Sequence, residues 1–297
     1  MYNNILGAIG NTPIVKINKL NKNPNVTVLA KLEGFNPTGS VKDRIALKMI
    51  EHAEQEGWLT GDKEIIEATS GNTGIALAMI GRVKGYKVNI VMSDAVSIER
   101  RKMIMAFGAD IILTDGDKGT DGAIIKTNEL LKEFPGKYYN PDQYSNITNK
   151  LTHYFTTSQE IWEQTGGNIT HFVSAIGTSG TIMGVGMGLR QKNPDIKIVE
   201  AHPVAGHYIQ GLKSMKEAIV PELYDPGKID ISIKVETEAA FEMSRRIVAE
   251  EAIFVGMSSG AAMLAALEVA ETLNSGTIVV MLPDRGEKYL STPLFKV

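Results

Sequence analysis

The stretch Ile65-Ile-Glu-Ala-Thr-Ser-Gly-Asn-Thr-Gly-Ile-Ala-Leu-Ala-Met-Ile80 joins a short apolar run to a helical pattern through small polar residues. Residues 65–68 predict a buried strand, and the residues from Asn72 onward predict a helix. The backbone amides of 69–74, the Thr69 loop, then gather at a helix amino terminus, where anions bind. An ordinary capped turn is the alternative. Four residues are candidate ligands for a substrate carboxylate: Thr69, Ser70, Gly71 and Thr73.

The same alternation of strand and helix patterns runs along the whole chain. Eight β-branched runs predict strands at 26–31, 65–68, 87–92, 110–113, 171–175, 196–201, 231–235 and 277–282. Eight helical patterns lie between them, at 40–56, 72–83, 97–107, 119–134, 156–164, 181–191, 237–251 and 258–273. This pattern predicts an α/β fold of mostly parallel sheets covered by helices, and 297 residues favour two lobes.

Composition narrows the class of function. The formal net charge is −3, and no basic run or basic amphipathic helix suggests nucleic acid or a membrane surface. The absence of cysteine excludes disulfides, thiolate metal sites and a cysteine nucleophile. The histidines show no metal-ligand spacing, so we expect no metal site. The amino terminus has no leader pattern and no apolar run approaches the roughly 20 residues of a membrane helix, so we expect a soluble cytoplasmic protein.

Lys42 has an unusual context for a lysine. It lies in Lys31-Leu-Glu-Gly-Phe-Asn-Pro-Thr-Gly-Ser-Val-Lys-Asp-Arg44, where proline and glycine break the chain before a predicted helix. Ser40 is the expected cap, so Lys42 falls in the first turn, where the helix dipole opposes a positive charge. We expect a lowered pKa and a neutral amine suited to Schiff-base formation and to proton removal. A solvated surface lysine is the alternative.

A second loop of small residues, Gly177-Thr-Ser-Gly-Thr181, follows the predicted strand 171–175 and precedes another helix. This Gly177 loop is predicted to cradle a phosphate. Its spacing matches neither the dinucleotide Gly-x-Gly-x-x-Gly pattern nor the P-loop. With the amine of Lys42 and the Thr69 loop, it indicates a pyridoxal phosphate enzyme. Asn72 is then placed to reach an oxygen on the cofactor ring.

Val255-Gly-Met-Ser-Ser-Gly-Ala-Ala262 is a third small-residue junction between a strand and a helix. Ser258 is either a helix cap or a hydroxyl that meets the pyridine nitrogen of the cofactor. A neutral hydroxyl there leaves the ring unprotonated and the electron sink weak, which suits β-elimination better than transamination.

Two segments lack periodicity. Residues 134–150 are a candidate crossing between lobes beside a ligand cleft, and residues 203–230 are a candidate cover of the site.

Nearly the whole chain resembles the fold type II pyridoxal phosphate enzymes of the cysteine synthase group. Besides the segments around Lys42, Asn72 and Gly177, the matching motifs are Gly10-Asn-Thr-Pro13, Ser97-Ile-Glu-Arg-Arg101, Asp142-Gln-Tyr-Ser-Asn146, Gly256-Met-Ser-Ser-Gly260 and Asp284-Arg-Gly-Glu-Lys-Tyr-Leu-Ser-Thr292. The resemblance implies the two-lobed fold of the tryptophan synthase β type. Residues 35–146 would form a smaller mobile lobe, and residues 1–34 plus 147–297 a larger lobe that binds the cofactor phosphate.

The resemblance also implies residue roles. Lys42 would form the internal aldimine, Asn72 would bond the phenolic oxygen and Ser258 would meet the pyridine nitrogen. The phosphate would be held by Gly177, Thr178, Ser179, Gly180 and Thr181. The substrate carboxylate would be held by Thr69, Ser70, Gly71, Thr73 and Gln143. The implied reaction is β-replacement, in which O-acetyl-L-serine and sulfide give L-cysteine and acetate through a bound aminoacrylate. A homodimer and binding of a serine acetyltransferase are further implications.

Two segments depart from the family pattern. One is Met92-Ser-Asp-Ala-Val-Ser97, where family members commonly carry a proline and an acidic residue before Met-Ser. The other is Gln210-Gly-Leu-Lys-Ser-Met-Lys-Glu-Ala-Ile-Val-Pro221, which replaces the glycine-rich cover of the first type and looks more like the second (B) type. Lys213 in the latter is a candidate ligand for O-phosphoserine or thiosulfate, or else a lysine on a solvated loop. Cystathionine or lanthionine synthesis with release of hydrogen sulfide, a lyase or dehydratase activity, and a noncatalytic amino-acid-binding relative are the remaining alternatives.

Overall fold

The computed structural model describes residues 1–69, 71–213, 215 and 220–295. Within these residues, ten strands form two sheets. The strands are β1 (Ile14–Lys16), β2 (Val26–Leu32), β3 (Glu64–Ala68), β4 (Val88–Ser93), β5 (Asp110–Thr114), β6 (Tyr138–Tyr139), β7 (His171–Ala175), β8 (Lys197–Pro203), β9 (Ile231–Val235) and β10 (Gly276–Leu282). One sheet has the order β5-β4-β3-β6 and the other β1-β2-β10-β7-β8-β9. Their strands pair in parallel, except that β1 is antiparallel to β2.

Helices cover both sheets. They are α1 (Lys42–Gln55), α2 (Asn72–Lys84), α3 (Ile98–Ala106), α4 (Gly119–Glu133), α5 (Ile147–Thr152), α6 (Ser158–Gln164), α7 (Gly180–Lys192), α8 (Thr237–Glu251) and α9 (Met257–Thr272). The predicted α/β class with mostly parallel sheets is confirmed. None of the helices in the described ranges is both long and apolar enough to cross a membrane.

The structure corrects some predicted boundaries. The helix predicted from residue 156 begins at Ile147, because α5 continues through the π-helical turn His153–Thr157 into α6. The segment 134–150 is therefore partly regular, and it also contributes β6. The short strands β1 and β6 were not predicted, since runs of two or three residues carry no periodicity. The segment 203–230 contains a single short 3-10 helix, Pro226–Lys228, among its described residues.

Strands near the middle of each sheet are buried on both faces. In β3, Ile65 packs with α1 and α2 while Ile66 packs toward α4. In β10, Val280 belongs to the core beneath α9 and Val279 to the core beneath α7. Alternate residues of a strand point to opposite faces, so two-sided burial requires continuous apolar runs. This requirement explains why the strand patterns in the sequence do not alternate between apolar and polar residues.

A buried ionic network fixes the start of α1 against α6. The guanidinium of Arg44 donates to Glu33 from Nε (2.7 Å) and to Glu160 from Nη1 (2.6 Å). Lys31 Nζ donates to the same Glu160 carboxylate at 2.7 Å. Burial opposes ionisation of Glu33, but Arg44 outweighs it and lowers the pKa of Glu33 to about 2. The network places Lys42 two residues from a rigid anchor, at an edge where the carboxyl ends of parallel strands meet.

Candidate active site

One pocket brings most of the predicted site residues together. It lies between the two sheets, where β3 leads into α2 and β7 leads into α7. Gly71 and Gly180 belong to the same two loops without lining the pocket, and Ser70 lies outside the described residues. The predicted residues that line the pocket are Lys42, Thr69, Asn72, Thr73, Gln143, Gly177, Thr178, Ser179, Thr181, Lys213 and Ser258.

Lys42 is the first residue of α1 and its side chain is partly buried. Burial lowers the pKa of the amine to about 8, and the carboxylates of Asp284 and Glu33 oppose this shift. The predicted direction is therefore right, and burial is the largest cause of the shift. Ser40 is not the capping residue, because Val41 occupies that position. The Ser40 hydroxyl still accepts a hydrogen bond from the Lys42 backbone N–H at 3.3 Å.

Asn72 begins α2 and is held from across the pocket. Its Nδ2 donates to Asp284 Oδ2 at 2.7 Å, and the hydroxyl of Tyr289 donates to the same oxygen at 2.6 Å. Arg100 donates from Nη2 to the Tyr289 hydroxyl at 2.5 Å and lies over its ring. Asn72 Oδ1 is buried and has no hydrogen-bond partner among the described residues. The amide is thus fixed on one side and available on the side of the pocket.

Gln143 connects the Thr69 loop to β3, the strand that precedes the loop. Its Oε1 accepts from the Thr73 hydroxyl at 2.6 Å, and its Nε2 donates to the backbone carbonyl of Ala68 at 3.1 Å. The Thr69 hydroxyl accepts from the backbone N–H of Gly71 at 3.2 Å. Thr69, Thr73 and Gln143 all line the pocket, and each is no more than 3% exposed. Enclosed hydroxyl and amide groups of this kind suit a carboxylate.

The Gly177 loop is shaped by close contacts. Ser179 has φ of +64°, a left-handed conformation that turns the chain into α7. A Cβ on Gly177 would lie 2.5 Å from the carbonyl oxygen of Gly211, so no larger residue fits there. The hydroxyl of Thr178 accepts from Asn149 Nδ2 at 3.0 Å, and that of Thr181 lies 3.2 Å from His153 Nε2. The amino terminus of α7, whose first backbone amides have no partner within the helix, therefore lies at a polar part of the pocket.

Ser258 lies in the first turn of α9, and its side chain is buried at the pocket wall. The capping position is Gly256, and no side chain caps this helix. The interpretation of Ser258 as a helix cap is therefore wrong. Its hydroxyl lies on the pocket wall, as a contact to a bound ring would require.

Comparison with known proteins decides the family. The family described as pyridoxal-phosphate dependent enzyme matches residues 5–284. A cysteine synthase of Aquifex aeolicus is 48% identical, covering 98% of this chain and 91% of its own length. A cysteine synthase B of Pseudomonas aeruginosa is 43% identical, with 99% and 98% covered. A cysteine synthase structure from Entamoeba histolytica has a TM-score of 0.94 at 43% identity, with 100% and 91% covered.

The chain belongs to the cysteine synthase family of pyridoxal phosphate enzymes. The resemblance read from the motifs is thereby confirmed, and a relative of the B type is among the similar proteins. The pocket also fits the cofactor by its own chemistry. It offers a lysine amine with a lowered pKa, an amide oxygen on Asn72 without a partner, and a helix amino terminus behind a glycine that admits no side chain.

Lys213 of this family member is not a solvated loop lysine. It is only 8% exposed and lines the pocket. Its Nζ lies 3.2 Å from Asp121 Oδ1 and 4.6 Å from the centre of the Tyr144 ring. Its backbone N–H donates to the carbonyl of Ile176, next to the Gly177 loop. The solvent-exposed interpretation is wrong, and the positive charge is held beside the pocket.

Several polar residues of the site were not predicted from the sequence, among them Asp284, Tyr289 and Asn149. The first two lie in the family motif Asp284–Thr292, which was the available signal but assigns neither residue a role by itself. Asn149 had no signal, because it follows the recognised Asp142–Asn146 motif in a segment that read as irregular.

The lowered pKa of Lys42 has a measurable consequence for cofactor binding. Cofactor-free protein should gain the visible absorbance of bound pyridoxal phosphate at a rate that rises about tenfold per pH unit below pH 8, because only the neutral amine reacts. The rate should level off above pH 8. Stopped-flow absorbance between pH 6 and about pH 10 measures it. A rate still rising steeply at the upper end would indicate an unperturbed lysine.

Proposed function

We propose that this chain makes L-cysteine from O-acetyl-L-serine and sulfide by pyridoxal phosphate-dependent β-replacement. The observation that carries the proposal is the pocket itself, where Lys42 lies between two anion-binding loops at helix amino termini. One loop suits a cofactor phosphate and the other a substrate carboxylate. The similar proteins named cysteine synthase support the choice of reaction.

Bound in this pocket, pyridoxal phosphate supplies a carbonyl that bonds to amines and a ring that withdraws electrons from the α-carbon of an amino acid. Lys42 is assigned to hold the cofactor and, as an amine with pKa about 8, to take the α-proton at its Nζ. Loss of acetate from the β-carbon and addition of sulfide complete the replacement. The hydroxyl of Ser258 is assigned to the ring nitrogen, where a neutral partner suits β-elimination.

The remaining residues bind and orient. Thr69, Thr73 and Gln143 are assigned to the substrate carboxylate, together with Ser70 and Gly71 of the same loop. Asn72 is assigned to the ring oxygen, since its bond to Asp284 uses only one hydrogen of the Asn72 side-chain amide. Gly177 to Thr181 are assigned to the phosphate. Each assignment follows from position in the pocket or in its two loops.

We further propose that residues 35–146 close over the bound substrate as a smaller lobe. These residues are anchored to the rest of the chain by the Arg44 network, and at the pocket they bond the segment 283–289. Val41 donates from its backbone to Pro283, and Ser97 donates from its hydroxyl to the backbone of Lys288, both at 2.7–2.8 Å. With the Arg44 network as a fixed point, movement against this segment at the pocket would exclude water from a reactive site.

The reaction is tested by product analysis. Holoenzyme supplied with O-acetylserine and sulfide should form cysteine and acetate in equal amounts, as measured by mass spectrometry. O-phosphoserine, serine and cysteine serve as alternative donors in separate reactions. Formation of hydrogen sulfide and lanthionine from cysteine, with no cysteine from O-acetylserine, would show that the chain catalyses lanthionine synthesis instead.

The position of Lys213 supports a second amino-acid substrate, O-phosphoserine, besides O-acetylserine. A buried lysine at the pocket wall favours an anionic leaving group, such as the phosphate of O-phosphoserine. It equally favours an anionic sulfur donor, such as thiosulfate in place of sulfide. Lys213→Ala should lower kcat/KM for O-phosphoserine about tenfold more than kcat/KM for O-acetylserine. Asp121→Asn, which removes the acid 3.2 Å from Nζ, should shift the preference in the opposite direction. An unchanged preference in both variants would exclude this role.

A cytoplasmic homodimer is the assembly that we propose. Closed symmetric pairs are the commonest soluble oligomers. Sedimentation equilibrium should give twice the mass of 32.3 kDa. The same purified dimer, titrated with a serine acetyltransferase, tests whether that enzyme is a partner.

A further inference from the structure

Asn149 spans the gap between the two loops of the pocket. It lies on α5 and is completely buried. Both bonds of its side-chain amide run from Nδ2, one to the backbone carbonyl of Gln143 at 2.7 Å and one to the Thr178 hydroxyl at 3.0 Å. Gln143 belongs to the substrate side and Thr178 to the Gly177 loop. A single side chain therefore contacts both binding regions.

Gln143 is held firmly at its end of this link. Its backbone N–H donates to Glu67 Oε1 at 3.2 Å, and the neighbouring backbone N–H of Asp142 donates to Glu67 Oε2 at 2.9 Å. Its side chain bonds Thr73 and the carbonyl of Ala68. A displacement of the Gln143 backbone would therefore also move the Gln143 side chain and the Thr73 hydroxyl bonded to it, which is assigned to the substrate carboxylate.

The Gly177 loop packs closely against the other side of the Asn149 amide. Gly180 packs against Asn149 Oδ1 so tightly that a Cβ on Gly180 would overlap this oxygen. Thr178 and Ser179 are also buried, at 7% and 3% exposed. Packed groups with this little free space move together rather than independently. A shift of Thr178 is therefore transmitted to Asn149, and from there to Gln143.

We propose that Asn149 is a positioning residue that couples the two loops, so that a change in the Gly177 loop alters the affinity for the amino-acid substrate. The inference rests on the proposed roles of the Gly177 loop toward phosphate and of Gln143 toward the substrate carboxylate. Because binding coupling is reciprocal, occupation of the substrate site equally tightens the hold on the cofactor. Asn149 itself touches neither ligand in this scheme.

Two isosteric threonine variants separate coupling from simple loss of cofactor. Thr178→Val removes the hydroxyl that Asn149 contacts, whereas Thr152→Val removes a hydroxyl on the same helix as Asn149 that donates to the Thr148 carbonyl and does not line the pocket. Both holoenzymes are assayed with excess pyridoxal phosphate, and full loading is verified by visible absorbance. We expect Thr178→Val to raise KM for O-acetylserine about fivefold, and Thr152→Val to leave this KM within about twofold.

Asn149→Asp provides a second, independent variant. It keeps the side-chain shape and removes both donated hydrogen bonds, so the cofactor dissociation constant and KM for O-acetylserine should rise together, each about tenfold. Equal KM values in the two threonine variants, with normal wild-type turnover, would overturn the coupling alone. Wild-type holoenzyme that forms no cysteine would instead overturn the proposed function, and the inference with it.

Discussion

Alanine in place of Lys42 should lower kcat for cysteine formation by about a thousandfold or more, because the variant loses both the amine that holds the cofactor and the base for the α-proton. The visible absorbance of the purified protein should change as well, since pyridoxal phosphate would be held by noncovalent contacts alone. Steady-state kinetics with O-acetylserine and sulfide, together with the absorption spectrum, measure both effects.

The matched control is Lys48→Ala on the same helix. Lys48 is exposed and pairs with Glu51 on the protein surface, so its removal should leave kcat within about twofold. Lys42→Arg is a second comparison that keeps a positive charge but has no neutral amine near pH 8. If Lys42→Ala retained a tenth of the wild-type kcat, the catalytic assignment would be wrong.

Alanine in place of Asp284 should weaken pyridoxal phosphate binding by about ten- to a hundredfold. This change leaves Asn72 Nδ2 and the Tyr289 hydroxyl buried without the acceptor that they share, and each unsatisfied donor costs about 1–3 kcal/mol. The amide of Asn72 would then be free to rotate away from the cofactor ring. Equilibrium titration of the cofactor, followed by absorbance, measures the loss.

Asp284→Asn separates the shape of this residue from its charge. Both bonds end on one oxygen of Asp284, so a carboxamide oxygen in the same place can accept both, and cofactor affinity should be largely restored. The carboxylate raises the pKa of Lys42, so both variants should move the pH midpoint of cofactor loading below 8. Equal cofactor affinity in Asp284→Ala and wild type would contradict the positioning role.

The parts of the site that could be predicted are those set by local sequence. Lys42, the Thr69 loop and the Gly177 loop each combine a strand, small residues and a helix start within a few positions. Such a junction fixes where backbone amides point, whatever the rest of the chain does. The same local logic gave the α/β class, because two-sided burial of central strands requires the apolar runs seen in the sequence.

The parts that could not be predicted depend on residues far apart in sequence. The bond from Asn72 to Asp284 crosses 212 positions, and the contact of Lys213 with Asp121 crosses 92. Neither has a signature in a single sequence. The pKa of Lys42 shows the same limit: its lowering was predictable from its place at the start of a helix, but its largest cause is burial, which a single sequence does not show.

The most direct test of the proposed chemistry is the visible spectrum of the purified holoenzyme during one reaction cycle. The cofactor absorption band should shift when O-acetylserine is added and return to its starting position when sulfide follows, with one equivalent of cysteine released. A protein that shows no such band after incubation with pyridoxal phosphate, or a band that O-acetylserine leaves unchanged, would contradict the proposed chemistry.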